Sequence, residues 1–137
     1  MTLVFLIIGY AYADYKDDIG YTDLSNALGG SMPDGAGIDV TQVESPSGGH
    51  WMPDTSHSDF TGKTITDQTG DTGTSAHATA VGRYFYGNTI SLAPGITVID
   101  AYETSHWLQG GFLKIGYLAH PDSSSSRIAN HSYVGSL

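Results

Sequence analysis

The sequence predicts an α/β fold built on a parallel sheet, and three observations predict it. Three short runs rich in β-branched residues, 38–44, 96–101 and 127–134, are bounded by turn-forming residues and read as strands. Between the first two lies 76–86, with apolar residues at helical spacing. Between the last two lies 103–118, which reads as a second helix broken by Gly110-Gly111. Strands alternating with helices argue for parallel pairing through right-handed crossovers. In such sheets ligands gather at the carboxyl ends of the strands.

In chain order, residues 1–13 open on the apolar run M-T-L-V-F-L-I-I and close on Ala11-Tyr12-Ala13. An apolar core followed by A-x-A resembles the end of a secretory signal. The lack of Lys or Arg ahead of the run, and its shortness, count against a complete signal; a buried strand or short helix is the other reading. With a signal, the mature chain begins near Asp14. Residues 24–28 make a helical turn stopped by Gly29-Gly30. Residues 31–37 (S-M-P-D-G-A-G) are turn chemistry.

After the first strand, 45–58 is a Gly/Pro/Ser/His loop, 60–66 a short extended piece and 67–73 a turn-rich loop. Thr74 or Ser75 caps the helix 76–86, and Gly87-Asn88 ends it. Ala80, Val81, Tyr84 and Phe85 are its expected apolar face. Ala93-Pro94-Gly95 turns the chain into the second strand, and 121–126 is a polar loop ahead of the third.

Composition narrows the function classes. Five basic residues against fourteen acidic ones leave a net charge of −9, too few cations to cluster on a phosphate backbone, so nucleic acid is excluded as a partner. Charged residues are 14% of the chain against about 25% in ordinary domains. The hydrophobic content of 39% is that of a folded chain rather than a disordered acidic tail. No run approaches the roughly 20 apolar residues of a membrane span. The absence of Cys removes thiol catalysis, cysteine zinc sites and disulfides. A chain rich in Gly, Ser, Thr, Asp and Tyr but poor in Lys and Glu suggests a secreted or extracytoplasmic protein.

Four motifs carry a resemblance. The segment G-A-G-I-D-V-T-Q-V-E, 35–44, is a G-x-G turn leading into a strand that ends on Glu44. The segment H-A-T-A-V-G, 77–82, starts a helix after Gly73. L-A-P-G-I, 92–96, turns into the second strand, and N-H-S-Y-V-G, 130–135, forms the third. In this order, with 33 residues from Glu44 to His77, they resemble the subtilisin-like serine peptidases (subtilases) over about residues 35–137. The resemblance implies a subtilisin-like doubly wound parallel sheet, incomplete here as the N-terminal part of a three-layer αβα domain. It implies Glu44 as the acid of the catalytic triad and His77 as its base. It implies Ser132, Tyr133, Val134 and Gly135 as the strand that pairs with the backbone of a protein or peptide substrate. No cofactor or metal is implied.

Three departures accompany it. The acid is Glu rather than the family's usual Asp, a change that hydrolase triads tolerate. Ala78 stands where the family has Gly. The family's oxyanion Asn and nucleophile Ser belong to later elements that match nothing in this chain. The expectation is therefore a serine endopeptidase fragment without its nucleophile, whose partner is the missing C-terminal part of the same domain.

Other residues compete for these roles. Asp39 is the alternative acid, but it falls at the start of the strand. Gly73-Thr74-Ser75 spells the nucleophile triplet, yet precedes His77 by two residues and lacks the following Pro, so it reads as cap chemistry. His50, Asp54, His57 and Asp59 form a polar cluster that a metal-dependent hydrolase could use, although their spacing matches no familiar site. His106, His120 and His131 are scattered and carry no pattern; Trp51 and Trp107 read as anchors. The alternative function is a non-catalytic secreted α/β binding or structural domain on a subtilase-like scaffold.

Overall fold

The computed structural model describes residues 14–116 and 118–134, so the signal-like segment 1–13 and Gly135 lie outside the described residues. The chain divides at Met32/Pro33 into two compact units. In the first, α1 (Tyr15–Asp18) is capped by the Asp14 carboxylate, which accepts from the Lys16 amide. Gly20, at φ 74°, leads into α2 (Tyr21–Leu28), which starts three residues before the expected turn and ends at Gly29. Among the described residues no helix is long and apolar enough to cross a membrane.

The second unit is an α/β arrangement around a four-stranded parallel sheet. Its strands are β1 (Val40–Glu44), β2 (Thr64–Asp67), β3 (Val98–Glu103) and β4 (Ile128–Ser132), in the order β2-β3-β1-β4. The extended piece expected over 60–66 is thus a true edge strand, displaced slightly along the chain. β1 lies inside the sheet, and all five of its residues are buried. Burial on both faces replaces the alternation of a half-exposed strand with a continuous run. Three of those five residues, Thr41, Gln42 and Glu44, are polar.

The turn into β1 needs its glycines. Gly35 and Gly37 sit at φ 85° and 77°, and a Cβ on Gly35 would lie 2.8 Å from the Ile96 side chain. On one face of the sheet Val40 and Ile99 pack with Phe60, Ile96 and Tyr86 of α3 (Ala76–Tyr86). On the other, Tyr102 of β3 meets Trp107 edge-on, and Trp107 stacks on Phe112 with ring centroids 3.9 Å apart. The second helix expected over 103–118 is reduced to a π-helical turn, His106–Gly110. Gly110-Gly111 stops it, and the aromatic stack anchors the segment after it through Phe112.

Half of the expected apolar face of α3 turns inward: Phe85 packs against the core and Val81 is part-buried, while the fully buried stripe is made of other residues. Ala78, Gly82 and Tyr86 are buried, whereas Ala80 is exposed and Tyr84 is 62% exposed. Ala78 meets β1 through its carbonyl, which accepts from Gln42, and Gly82 leaves room for the Tyr86 and Phe60 rings. A Cβ on Gly82 would meet the Tyr86 hydroxyl at 2.6 Å and Phe60 at 3.1 Å. Gly82→Ala is accordingly expected to destabilise the fold by about 1–3 kcal/mol. The overpacking outweighs the roughly 1 kcal/mol that Ala gains in a helix interior. Urea unfolding of the two proteins measures it.

Candidate active site

The parallel register brings the carboxyl ends of three strands level: Glu44 of β1 lies beside Glu103 of β3 and Ser132 of β4. Glu103 turns its carboxylate away to accept from the Ser105 and His106 amides, each at 2.8 Å, and so caps the π-helical turn. Glu44 points into the layer between β1 and α3, its side chain 1% exposed. Asp39 lies before β1, so the two acids stand at opposite ends of the strand, about 16 Å apart at roughly 3.3 Å per residue. Only Glu44 is at the rim where α3 begins.

The start of α3 is fixed by capping. Ser75 accepts from the Ala78 amide at 3.2 Å, so the G-T-S triplet is helix-cap chemistry. The Ser75 amide donates to the Met52 carbonyl at 2.7 Å, and the Asp54 amide donates to Thr79 Oγ1 at 2.8 Å. These ties hold His77 in the first turn, with its side chain 53% exposed. His77 Nε2 lies 3.3 Å from Glu44 Oε2 and 3.2 Å from the Ser132 carbonyl oxygen. The His77–Glu44 contact is an ion-pair distance rather than a full hydrogen bond, and Oε2 has no other polar partner. Two acceptors face Nε2, so in the neutral tautomer the ring proton belongs there and Nδ1 carries the lone pair.

Burial pushes the Glu44 carboxyl above its ordinary range; the hydrogen bond from Gln42 and the nearby His77 pull it part of the way back. A raised folded-state value means stability that is complete below the unfolded range near pH 4 and lost as pH rises through the folded value. Glu44→Gln is therefore expected to raise the urea midpoint at pH 7 and to flatten its fall with rising pH. An unchanged midpoint and an unchanged pH dependence would contradict the burial cost assigned to this carboxylate.

Behind Glu44 lie two residues that the sequence pattern does not single out. Gln42 Nε2 donates to Glu44 Oε1 at 2.8 Å and to the Ala78 carbonyl at 2.9 Å. The Tyr86 hydroxyl donates to Gln42 Oε1 at 2.6 Å. The signal available in the sequence is an amide side chain inside a strand that is otherwise Val and Thr up to its terminal Glu44.

In front of the pair opens a cleft of about 590 Å³, lined by Ser45, Pro46 and Ser47 after β1, by His77, and by His131, Ser132, Tyr133 and Val134 of the β4 segment. The structure thus brings Glu44, His77, Ser132, Tyr133 and Val134 to one rim. Ser132 Oγ accepts from the Asn130 side-chain Nδ2 at 2.7 Å, and the Tyr133 hydroxyl lies 3.1 Å from His131 Nδ1. β4 is the last strand of the sheet on this side, so its outer edge is open among the described residues.

The His50–Asp59 cluster is dispersed among separate partners. His50 Nδ1 lies 2.7 Å from Asp71, and His57 Nδ1 accepts from the Asp59 amide at 3.1 Å. Asp54 accepts from Ser56 at 2.6 Å, and Asp59 pairs with Arg83 at 2.7 Å. Among the described residues no group of three or more His, Asp or Glu side chains could hold a metal ion.

Asp71 is a further residue that sequence reasoning misses. It accepts from the amides of Trp51 at 2.6 Å, Met52 at 2.9 Å and Gly73 at 3.0 Å, besides His50. Burial opposes its ionisation, but these hydrogen bonds together outweigh burial and hold the carboxyl far below the usual carboxylate range. A side chain at Gly73 would collide with the His50 ring, which occupies the space of a Cβ there. Set against known proteins, the chain matches no family model, no curated protein and no solved structure.

Proposed function

We propose that this chain supplies the acid, the base and one wall of the substrate cleft of a serine-type endopeptidase of subtilase type. The observation that carries the reading is the buried Glu44 carboxylate 3.3 Å from a half-exposed His77 at the mouth of an open cleft. In this reading Glu44 holds the proton on Nε2 and stabilises the imidazolium that forms. Nδ1 takes the proton of a serine hydroxyl as its oxygen attacks the peptide carbonyl, then returns it to the leaving amine. An extended peptide lies along Ser132–Val134 as an added strand. The nucleophile comes from a segment other than those lining the cleft, as the resemblance implies. The composition, rich in Gly, Ser, Thr, Asp and Tyr and poor in Lys and Glu, supports an extracytoplasmic setting.

The test is to express the coding sequence together with the reading frame downstream of codon 137 and to treat the product with a fluorophosphonate. Labelling of one serine, with hydrolysis of an unstructured protein substrate, is the expected result. A product that is neither labelled nor hydrolytic would remove the peptidase reading. The second reading, a non-catalytic binding domain, has one specific observation in its favour. In serine triads Nε2 faces the nucleophile, whereas here Nε2 turns inward to Glu44 and Ser132.

A further inference from the structure

Gln42 is fully buried, and both ends of its amide are engaged. The orientation of that amide is unique. The Ala78 carbonyl can only accept, and an ionised Glu44 can only accept, so the NH₂ group must face both. Turned over, the amide would set its oxygen against two acceptors in a buried layer, which is costly. Tyr86 completes the arrangement by donating to the remaining oxygen, and a buried chain of this kind polarises each of its members. Ala78 follows His77 on α3, so one side chain touches both the acid and the helical turn that carries the base.

We infer that Gln42, held by Tyr86, is a positioning residue that fixes the facing of the Glu44 carboxylate and ties the start of α3 to the end of β1. With Oε1 engaged by Gln42, Oε2 is the oxygen left for His77. Its functional meaning rests on the peptidase reading, but the arrangement itself does not. The other groups around Glu44 are accounted for. From α3 they are His77 and the Tyr86 hydroxyl; from β3, Glu103, whose carboxylate is engaged by backbone amides; from β4, the Ser132 carbonyl oxygen beside His77.

The test reads Glu44 directly. The chain contains two Glu residues, Glu44 and Glu103, so a ¹³C-carboxyl-glutamate spectrum has two resonances and Glu44→Gln assigns them. Gln42→Leu removes both donors, and Tyr86→Phe removes only the hydroxyl. Glu44 is expected to titrate higher in Gln42→Leu than in the wild type, with a smaller upward shift in Tyr86→Phe and Glu103 unmoved. A role confined to packing would lower the unfolding midpoint and leave the Glu44 titration in place. Should Gln42→Leu fail to fold, Tyr86→Phe decides alone. A Glu44 midpoint equal to wild type in the folded variants overturns the inference. The titration needs no nucleophile, so it stands or falls separately from fluorophosphonate labelling.

Discussion

Asp71→Ala should lower the stability of the fold by about 3 kcal/mol at pH 7. Its side chain is 2% exposed and accepts from three backbone amides and one imidazole. A hydrogen bond to a charged group contributes about 1.5–3 kcal/mol, and such contributions are not additive within one network. A value near the middle of the range for buried networks is therefore expected. Because the Asp71 carboxyl is held far below its ordinary range, its contribution is present above the unfolded range near pH 4 and is lost as pH falls below it. Urea midpoints measured from pH 7 down to pH 3 should therefore keep a constant gap between wild type and variant down to about pH 4 and begin to narrow it below, with the rest of the loss lying at still lower pH. A gap that stays constant all the way to pH 3 would show that the loss came from packing rather than from the charge. The variant also bears on the site. Met52 and Asp54 tie down the start of α3, so loosening the 50–54 segment loosens His77.

On the proposed peptidase reading, His77→Ala should cut kcat by about 10⁴- to 10⁶-fold in a product that carries the nucleophile, with KM little changed. Among the described residues His77 is the only imidazole paired with Glu44, and its exposed edge faces the cleft. Asp39→Asn, at the other end of β1, should leave kcat within about twofold. Steady-state hydrolysis of one peptide substrate by the three proteins measures both. Equal losses from Asp39 and His77 would place the chemistry elsewhere.

Much of the scaffold is legible from local chemistry. The β-branched runs mark three of the four strands, and Ser75 marks the start of α3. The Glu44–His77 pairing is legible only as a spacing, because which strand end meets which helix start depends on the register across β1, β3 and β4. The phase of α3 departs from expectation in part: Phe85 packs on the core as the pattern suggests, but the large residues that dominate the pattern include the exposed Tyr84, while the small Ala78 and Gly82 are buried. Gln42, Tyr86 and Asp71 act through hydrogen bonds that span 36, 44 and 20 residues of sequence, so neither period nor local motif exposes them. Glu103 is the other Glu at the strand rim, yet its partners two and three residues on settle its role locally.

The most direct test of the Glu44–His77 pair is the tautomer of the His77 ring, read from long-range ¹H–¹⁵N correlations of the imidazole in the wild type and in Glu44→Ala. With Nε2 between the Glu44 carboxylate and the Ser132 carbonyl, the account predicts that the neutral form of the ring carries its proton at Nε2, with Nδ1 bare, and that Glu44→Ala loses that preference. A ring protonated at Nδ1, or one whose tautomer ignores the removal of Glu44, would contradict it.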